Sequence, residues 1–356
     1  MTAKPLFAAA MSGGVDSTVA AALARESGAR VVGITLILRD CDGSGGCGSD
    51  DREQVTRVAA QLGIEHHFLD LRGEFREKVL EYSWNEYRAG HTPNPCAFCN
   101  FHLKFGLLAE HARRLGADAM LTGHYAVLDP KKGELRHAVD TGKDQVYFLA
   151  LLRREQLQFC RMPLGNLTKD EVRLKAAALG LENARKKESQ DACFGVPGEA
   201  FPQALATYFD AEARPGDIVD AKGKILGHHQ GIHLYTIGQR KGLGVAMGRP
   251  AYVSAIDPVR HRVVLSTDPQ ILLRNVIEVD QLNLMVDRPE TFVCEVQTRY
   301  RQKPVAGSVT LLPGNRAAVE LDVPVSAPAI GQVAAFYDGD LVLGGGIITQ
   351  ANSKGA

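Results

Sequence analysis

Short apolar runs alternate with amphipathic stretches through residues 1–200 of the chain. The apolar runs predict four β-strands, with the sequences PLFAAAM (5–11), VVGITLIL (31–38), HHFLDL (66–71) and DAMLTGHY (118–125). Apolar residues at helical spacing predict helices beginning near Val15 and covering 51–63, 74–87 and 101–115. Strands separated by helices are typical of an α/β doubly wound parallel sheet, in which ligands bind beyond the carboxyl ends of the strands.

The pattern changes after residues 197–215. From Gly216 onward, short β runs are separated by Gly, Pro and Asp turns, as in AYVSAIDPVRHRVVLS and QVAAFYDGDLVLGGGII. This pattern predicts two small barrels or sandwiches, with a weak seam between them at DPQILLRN (268–275).

The composition is that of an ordinary globular protein. The 356 residues are 45% hydrophobic and 23% charged, and the formal net charge is zero. Because nucleic-acid binding needs only a local basic face, this neutrality gives such binding no support and does not exclude it. The start of the chain lacks the apolar segment of a signal peptide, and no apolar run is long enough to span a membrane. We therefore expect a cytoplasmic protein whose thiols stay reduced.

The sequence SGGVDS (12–17), which we call the phosphate loop, lies between the first predicted strand and the first predicted helix. Its glycines allow a tight turn that brings backbone N–H groups close to a ligand, and the helix N-terminus adds partial positive charge. Ser12 and Ser17 supply hydroxyls, and Asp16 is a candidate Mg²⁺ ligand. The loop lacks the ending of a Walker A motif and resembles that of the ATP pyrophosphatases. The alternative is a glycine-rich turn without a ligand.

Two cysteines, Cys96 and Cys99, lie in the Pro- and Asn-rich stretch NPCAFCN, which we expect to be a loop just before a helix. Thiols near a helix N-terminus make good nucleophiles and metal ligands, although the spacing alone also fits two incidental thiols. Cys193 follows 94 residues after Cys99 (193 − 99), and the pattern alone cannot bring the two together. Cys41 and Cys47, in a loop rich in Gly and acidic residues, are expected to be incidental thiols rather than ligands. Cys160 and Cys294 are expected to be buried small hydrophobes.

Eight sequence blocks occur in the order and spacing of the bacterial tRNA-specific 2-thiouridylases, and the chain resembles that family nearly end to end. The blocks are MSGGVDS, AGHTPNPCAFCN, LTGHY, GKDQVYFL, SQDACF, GHHQGIHLYTIGQRKGLGV, TRYRQ and LGGGII. The resemblance implies a PP-loop ATP pyrophosphatase domain over 1–200, a small central β-rich domain over 211–272 and a C-terminal tRNA-binding β-barrel over 273–352. It also implies ATP-dependent adenylation of the C2 oxygen of the wobble uridine in Lys, Glu and Gln tRNAs, and replacement of that oxygen by sulfur.

The same resemblance assigns individual roles. It implies that the ATP phosphates bind at Ala10, Met11, Ser12, Gly13, Gly14, Val15, Asp16 and Ser17, with Leu36 and Gly123 near the adenosine. It implies contacts of the target base with Asn94, Pro95 and Cys96, and of the tRNA with His124, Lys143, Asp144, Gln145, Arg299, Tyr300 and Gln332, the last three on the anticodon arm. The nucleophilic cysteine of the family matches Cys99, and its persulfide-bearing cysteine matches Cys193.

Cys96 departs from the better-known members of the family, which carry Asp at this position. A thiol of pKa about 8.5 is a poor substitute for that carboxylate in acid–base work but a good soft ligand. One interpretation is a sulfur relay, in which Cys193 carries a persulfide and Cys99 attacks it. The other is a [4Fe-4S] cluster held by Cys96, Cys99 and Cys193, with the fourth iron binding hydrosulfide. The presence of Cys96 favours the cluster.

Two rival functions belong to other classes. A small-molecule ligase of the ATP pyrophosphatase type would use the phosphate loop, but it gives no reason for the β-rich units or the cysteines. A non-catalytic iron–sulfur tRNA-binding protein would use the cysteines, but it gives no reason for an intact phosphate loop. The sequence does not identify the sulfur donor.

Overall fold

A computed structural model of the chain describes residues 4–39, 49–186, 194 and 199–353, with the backbone alone at 49–51. The predictions for Cys41, Cys47 and Cys193 therefore lie outside the described residues. The described strands are β1 Leu6–Ala10, β2 Arg30–Ile37, β3 Glu65–Asp70, β4 Ala119–Leu121, β5 Val127–Asp129, β6 Glu134–Arg136, β7 Cys160–Arg161, β8 Gly216–Asp220, β9 Ile225–His229, β10 Tyr252–Asp257, β11 Arg262–Ser266, β12 Leu273–Leu284, β13 Thr291–Gln297, β14 Val305–Leu312, β15 Arg316–Ser326, β16 Val333–Asp338 and β17 Leu341–Asn352.

Helices cover both faces of the first sheet. The described helices of the whole chain span Val15–Glu26, Ser49–Gln61, 72–88, 95–114, Arg154–Gln158, Lys169–Ala178 and Phe201–Tyr208. Short 3-10 turns span Val146–Leu149, Ile232–Leu234 and Pro269–Leu272. Two of the helices contain π-helical segments, Arg76–Glu81 and Cys99–Leu108. Such segments are rare and often occur at functional sites.

The first sheet is parallel and has the strand order β3-β2-β1-β4-β7, which confirms the predicted α/β doubly wound fold. Ala9 of β1 pairs with Gly33 on one side and with Leu121 on the other. The order reverses between β1 and β4, so a crevice for a ligand is expected beyond their carboxyl ends. Apolar cores lie on each face of the sheet, one around Met120 and Phe105 and the other around Val19 and Val58.

The two β-rich units that follow are distinct. The first is a four-stranded sheet of order β10-β11-β8-β9, packed around a core that includes Val253 and Val263. The second is a six-stranded antiparallel barrel of order β12-β15-β14-β13-β16-β17, closed by pairing of β12 with β17. The predicted central β-rich unit and C-terminal β-barrel are thus confirmed.

A hairpin from the first domain extends the sheet of the barrel. Strands β5 and β6 pair with each other, and Arg136 of β6 pairs with Leu341 of β17. The Arg136 guanidinium also donates a hydrogen bond to Asp340 at 2.8 Å. The barrel therefore contacts the first domain directly through this hairpin. Within the described residues, no helix is long and apolar enough to cross a membrane.

Candidate active site at the phosphate loop and the cysteine-bearing helix

The phosphate loop follows the carboxyl end of β1 and leads into the helix Val15–Glu26. Gly13 has a φ of +75°, in the left-handed region that favours glycine. The Ser17 hydroxyl accepts a hydrogen bond from Ser12 N at 3.2 Å and lies 3.3 Å from the Ser12 hydroxyl. The two hydroxyls therefore meet at the N-terminus of the helix, where backbone N–H groups and the helix dipole favour an anion.

Asp16 is held by two side chains that sequence analysis missed. The Lys169 ammonium lies 2.7 and 2.8 Å from the two carboxylate oxygens, and the Tyr125 hydroxyl donates to Oδ1 at 2.9 Å. Lys169 is buried, with 8% of its side chain exposed, while Asp16 keeps 29%. A magnesium ion bound to Asp16 would compete with this ammonium for the same oxygens.

Asn183 also supports the phosphate loop. Its amide nitrogen donates to Gly13 O at 3.2 Å and to the Thr18 hydroxyl at 2.9 Å, and the residue is 1% exposed. Lys186, three residues later, bonds the Gln54 side chain at 2.6 Å. A Cβ placed on Gly13 would be 3.9 Å from the Lys186 ammonium, so a further cation lies beside the loop.

Cys96 and Cys99 lie in the first turns of the helix 95–114, which we call the thiol helix. The predicted start at 101 is wrong, as is the prediction that these cysteines lie in a loop. The helix begins earlier because Asn94 caps it, with its side-chain oxygen accepting from Ala97 N at 3.2 Å, and because Pro95 suits the first helical position. Three-residue spacing puts both cysteines on one side of the helix. Cys96 is exposed and Cys99 is 7% exposed.

Cys99 is buried in an apolar cluster that also holds the side chain of Phe194. The ring of Phe194 lies 6.3 Å from that of Phe75, which belongs to the same cluster as Cys99, and 6.2 Å from that of Phe201, which packs against this cluster. Cys193 itself lies outside the described residues, so its predicted meeting with Cys99 stays a prediction.

Gly123 and His124 link the phosphate loop to the thiol helix. A Cβ on Gly123 would be 2.7 Å from Ser17 N and 2.8 Å from Asp16 C, so this backbone packs directly on the helix that the loop begins. The His124 ring packs 5.5 Å from Phe105 of the thiol helix, and its Nδ1 lies 3.0 Å from the Thr122 hydroxyl. Packed contacts therefore run from the phosphate loop to the thiol helix at Phe105. Burial and the nearby Lys104 lower the pKa of His124 to about 3, so its ring is neutral at neutral pH.

Several residues that the resemblance assigned to tRNA have partners within the chain. Asp144 accepts hydrogen bonds from Ala138 N at 2.7 Å and Val146 N at 3.0 Å, and Gln145 accepts one from Tyr125 N at 2.9 Å. These contacts hold the loop that contains both residues. Lys143, which precedes them, is half-buried.

The barrel residues assigned to the anticodon arm also differ in exposure. Arg299 donates to Ile237 O at 2.7 Å, and burial lowers its pKa. Tyr300 is 39% exposed and packs 4.5 Å from the ring of Phe148. Gln332 is half-buried and bonds the backbone that precedes the thiol helix. Of these three side chains, Tyr300 presents the most accessible stacking surface.

The other described cysteines are buried, as predicted. Cys160 and Cys294 are 0% and 6% exposed. Burial raises the pKa of both thiols, that of Cys294 to about 12. Among the described residues, no group of three or more His, Cys, Asp or Glu side chains is arranged to hold a metal ion. Cys193, the predicted third cluster ligand, lies outside the described residues.

Comparisons with known proteins match nearly the whole length of the chain. Residues 6–196 match the family model described as the tRNA methyl transferase HUP domain, and 203–267 match the tRNA methyl transferase PRC-barrel domain. Residues 274–348 match the aminomethyltransferase beta-barrel domain.

The names of curated relatives give 2-thiouridylation, not the methyl transfer that appears in the names of the first two family models. The protein named tRNA-specific 2-thiouridylase MnmA of Pelobacter propionicus is 44% identical over 351 residues, covering 97% of this chain and 98% of its own. Those of Geobacter metallireducens (41% identical, 99% of each chain) and a Synechococcus species (44% identical, 95% of each chain) bear the same name.

Similarity to the solved structure of one tRNA thiolase is weak. The U34-tRNA thiolase NcsA from Methanococcus maripaludis with its [4Fe-4S] cluster is 19% identical, with a TM-score of 0.37, and covers 58% of this chain and 66% of its own. A likeness at that level tells nothing about the cysteines of this chain. The near full-length matches to curated relatives, in contrast, show that the chain belongs to the tRNA-specific 2-thiouridylase family.

Proposed function

We propose that this protein is a tRNA 2-thiouridylase, a sulfurtransferase that adenylates the C2 oxygen of the wobble uridine of Lys, Glu and Gln tRNAs and replaces that oxygen with sulfur. The observation that carries the proposal is the packed connection from Ser17 through Gly123 and His124 to Phe105. It joins an ATP-type phosphate loop to a helix that carries two cysteines, as a reaction with an adenylation step and a sulfur step requires.

The adenylation step accounts for the phosphate loop. A uracil C2 carbonyl is a poor electrophile, and its oxygen leaves poorly. When that oxygen attacks the α-phosphorus of ATP, pyrophosphate departs and the oxygen later leaves as part of AMP. Residues 10–17 would hold the phosphates through backbone N–H groups and the Ser12 and Ser17 hydroxyls, with Leu36 and Gly123 near the adenosine.

Magnesium would enter bound mainly to phosphate oxygens and water, which is its usual mode in such sites. Asp16 would be one of the ligands of this magnesium ion. The Lys169 ammonium, 2.7 Å away, would then have to share or yield the carboxylate. The same ammonium could remain close to the phosphates, since it lies beside the loop.

The sulfur step would use Cys99 and Cys193, with Cys96 beside them. Phe194, which follows Cys193 in the sequence, packs against the apolar cluster that contains Cys99. In the relay, Cys99 would attack a persulfide on Cys193 and release hydrosulfide. A Cys99–Cys193 disulfide would remain, which a thiol reductant must reopen.

The alternative is a [4Fe-4S] cluster held by Cys96, Cys99 and Cys193, the first two of which lie on one side of the thiol helix. When bound, such a cluster would supply an open iron that holds hydrosulfide. In either route, the buried surroundings of Cys99 would keep water from the activated carbon, where it would restore uridine.

The tRNA would be held by its anticodon arm, with the target base flipped out against Asn94, Pro95 and Cys96. Exposed Tyr300 would stack on a base, and Lys143 would lie near the phosphates. We also propose functional units at 1–200, 211–272 and 273–352, a separate sulfur donor, and location in the cytoplasm, where such a tRNA would be found.

Pyrophosphate release from ATP tests the proposal against its rivals. We expect release that depends on unmodified tRNA. Release driven by an amino acid or an amine would indicate a small-molecule ligase, and tRNA binding without release would indicate a non-catalytic binding protein. Either result would overturn the proposed function.

The two sulfur routes are separated by anaerobic purification followed by iron and sulfide analysis. An iron-free but fully active enzyme would end the cluster proposal. A Cys96→Asp variant is a second test, because the relay predicts retained thiolation and the cluster predicts its loss.

A further inference from the structure

The barrel contacts the chain immediately before the thiol helix through Gln332. The side-chain nitrogen of Gln332 donates to Thr92 O at 2.9 Å and to Pro93 O at 3.0 Å. These two carbonyls directly precede Asn94, the residue that caps the thiol helix. Both donor hydrogens of this amide are therefore used on the segment that leads into Cys96.

Tyr147 completes the same junction from the first domain. Its hydroxyl lies 2.9 Å from Val333 O and 3.3 Å from Gln332 Oε1, two acceptors for its single proton. The side chain of Asn94 also hydrogen-bonds this hydroxyl. Burial raises the pKa of Tyr147, so the hydroxyl stays protonated and able to donate.

The backbone of the barrel approaches this segment closely as well. Thr92 N donates to Ile330 O at 2.8 Å. Gly331 has a φ of +90°, and a Cβ there would be 3.0 Å from Thr92 O and 3.3 Å from the Glu86 carboxylate. A glycine is thus required, both for the backbone conformation and for the space.

We propose that Gln332 and Tyr147 are positioning residues that fix residues 92–94 against the barrel and thereby orient the cysteines of the thiol helix. This inference rests on the proposed function and gives Gln332 a role other than direct contact with the anticodon arm. The reason is physical: a helix start held by several directed hydrogen bonds samples fewer orientations, and reacting groups held near their productive geometry react faster.

The same junction reaches the surface proposed to bind tRNA. The Tyr147 ring lies 6.1 Å from Tyr300, and its neighbour Phe148 lies 4.5 Å from Tyr300. A tRNA stacked on Tyr300 would therefore rest on the residues that hold the thiol helix. The barrel would then fix the position of the target base relative to the cysteines.

Two near-isosteric variants test this role. Tyr147→Phe removes only the hydroxyl, and Gln332→Met removes the amide at similar volume. Tyr337→Phe is the matched control, because it deletes an equally buried tyrosine hydroxyl that bonds Gln297 at 2.7 Å inside the barrel. For Tyr147→Phe and Gln332→Met, we expect kcat for thiolation to fall about 10-fold, with KM for tRNA and Kd for ATP within about 2-fold of wild type.

A second readout does not depend on activity. Iodoacetamide alkylation of Cys99, followed by peptide mass spectrometry, should be about 5-fold faster in both variants because the start of the thiol helix loosens. It should be unchanged in Tyr337→Phe. The double variant should resemble either single variant, since both act at one junction.

Three results would overturn the positioning role: unchanged kcat and alkylation in both variants, equal losses in Tyr337→Phe, or a raised KM for tRNA with unchanged kcat. The last would mean that Gln332 contacts tRNA itself. Wild-type protein that fails to thiolate tRNA would instead contradict the proposed function, so the two failures are distinguishable.

Discussion

The ammonium of Lys169 lies 2.7 and 2.8 Å from the two carboxylate oxygens of Asp16, in the first turn of the helix that follows the phosphate loop. The two residues are 153 positions apart in the chain. The pair therefore ties the helix Lys169–Ala178 to the phosphate loop and places an ammonium beside the expected position of the ATP phosphates.

Replacing Lys169 by Met should weaken both stability and ATP use. Asp16 would keep its bond from Tyr125 but lose its counter-charge. We expect a loss of about 1–3 kcal/mol in the free energy of unfolding, below the full value for a buried pair because Asp16 is partly exposed. Urea unfolding and tRNA-dependent pyrophosphate release measure the two effects. Lys175→Met, on the exposed side of the same helix, is the control, and equal behaviour of the two variants would contradict this role.

A methyl group at Gly123 should disable ATP use. Its Cβ would be 2.7 Å from Ser17 N and 2.8 Å from Asp16 C, and backbone atoms at a helix start cannot move aside easily. We expect Gly123→Ala to reduce pyrophosphate release at least about 10-fold by displacing the phosphate loop. Gly73→Ala, where the added Cβ has no atom within 4 Å, should behave as wild type. Full activity in Gly123→Ala would show that this contact does not shape the ATP site.

Because the His124 ring is neutral in the folded protein, we predict that the free energy of unfolding falls at acidic pH. Its folded pKa is about 3, against 6.5 when unperturbed, so between these values the unfolded chain binds more protons. The free energy of unfolding should therefore fall as pH drops below 6.5. Compared with His124→Gln, which does not titrate, wild type should lose about 1 kcal/mol more between pH 6.5 and 5.5. Urea unfolding of both proteins at both pH values measures this difference. If the stability difference between wild type and His124→Gln were the same at the two pH values, the lowered pKa of His124 would be contradicted.

Tyr300 should contribute to tRNA affinity through its ring. Stacking on a base is worth about 1–3 kcal/mol, so Tyr300→Ala should weaken tRNA binding about 5-fold or more. Tyr300→Phe keeps the ring and should bind within about 2-fold of wild type. Filter binding of a labelled anticodon stem-loop measures both. Equal affinity in all three proteins would remove Tyr300 from the tRNA surface.

Local patterns predicted most of the fold because the elements of the first domain carry their own signals. The apolar run of β1, the glycines of the phosphate loop and the spacing of Val15 and Val19 all act between near neighbours in sequence. The start of the thiol helix was missed because Asn94 and Pro95 suit loops as well as helix starts. Choosing between them depends on tertiary contacts around this segment.

The contacts that build the site could not be predicted in the same way. Gln332 and Thr92 are 240 positions apart, and no local pattern indicates that they meet. Lys169 follows Thr168 in a capping box, which predicts a helix start but not the direction of the lysine side chain. Tyr125 and Tyr147 lie in two of the blocks that carry the family resemblance, so those blocks held the only sequence clue to them.

Nucleoside mass spectrometry of tRNA after reaction tests the central claim most directly. Purified protein would be incubated with ATP, Mg²⁺, a sulfide or persulfide source and an unmodified transcript of a Lys, Glu or Gln tRNA, and the digested tRNA analysed for 2-thiouridine. We predict 2-thiouridine at the wobble position together with AMP and pyrophosphate, its loss in Cys99→Ser and its retention in Cys160→Ser, where the altered thiol is fully buried and has no assigned role. ATP turnover that leaves the tRNA without 2-thiouridine under every sulfur source would contradict the account.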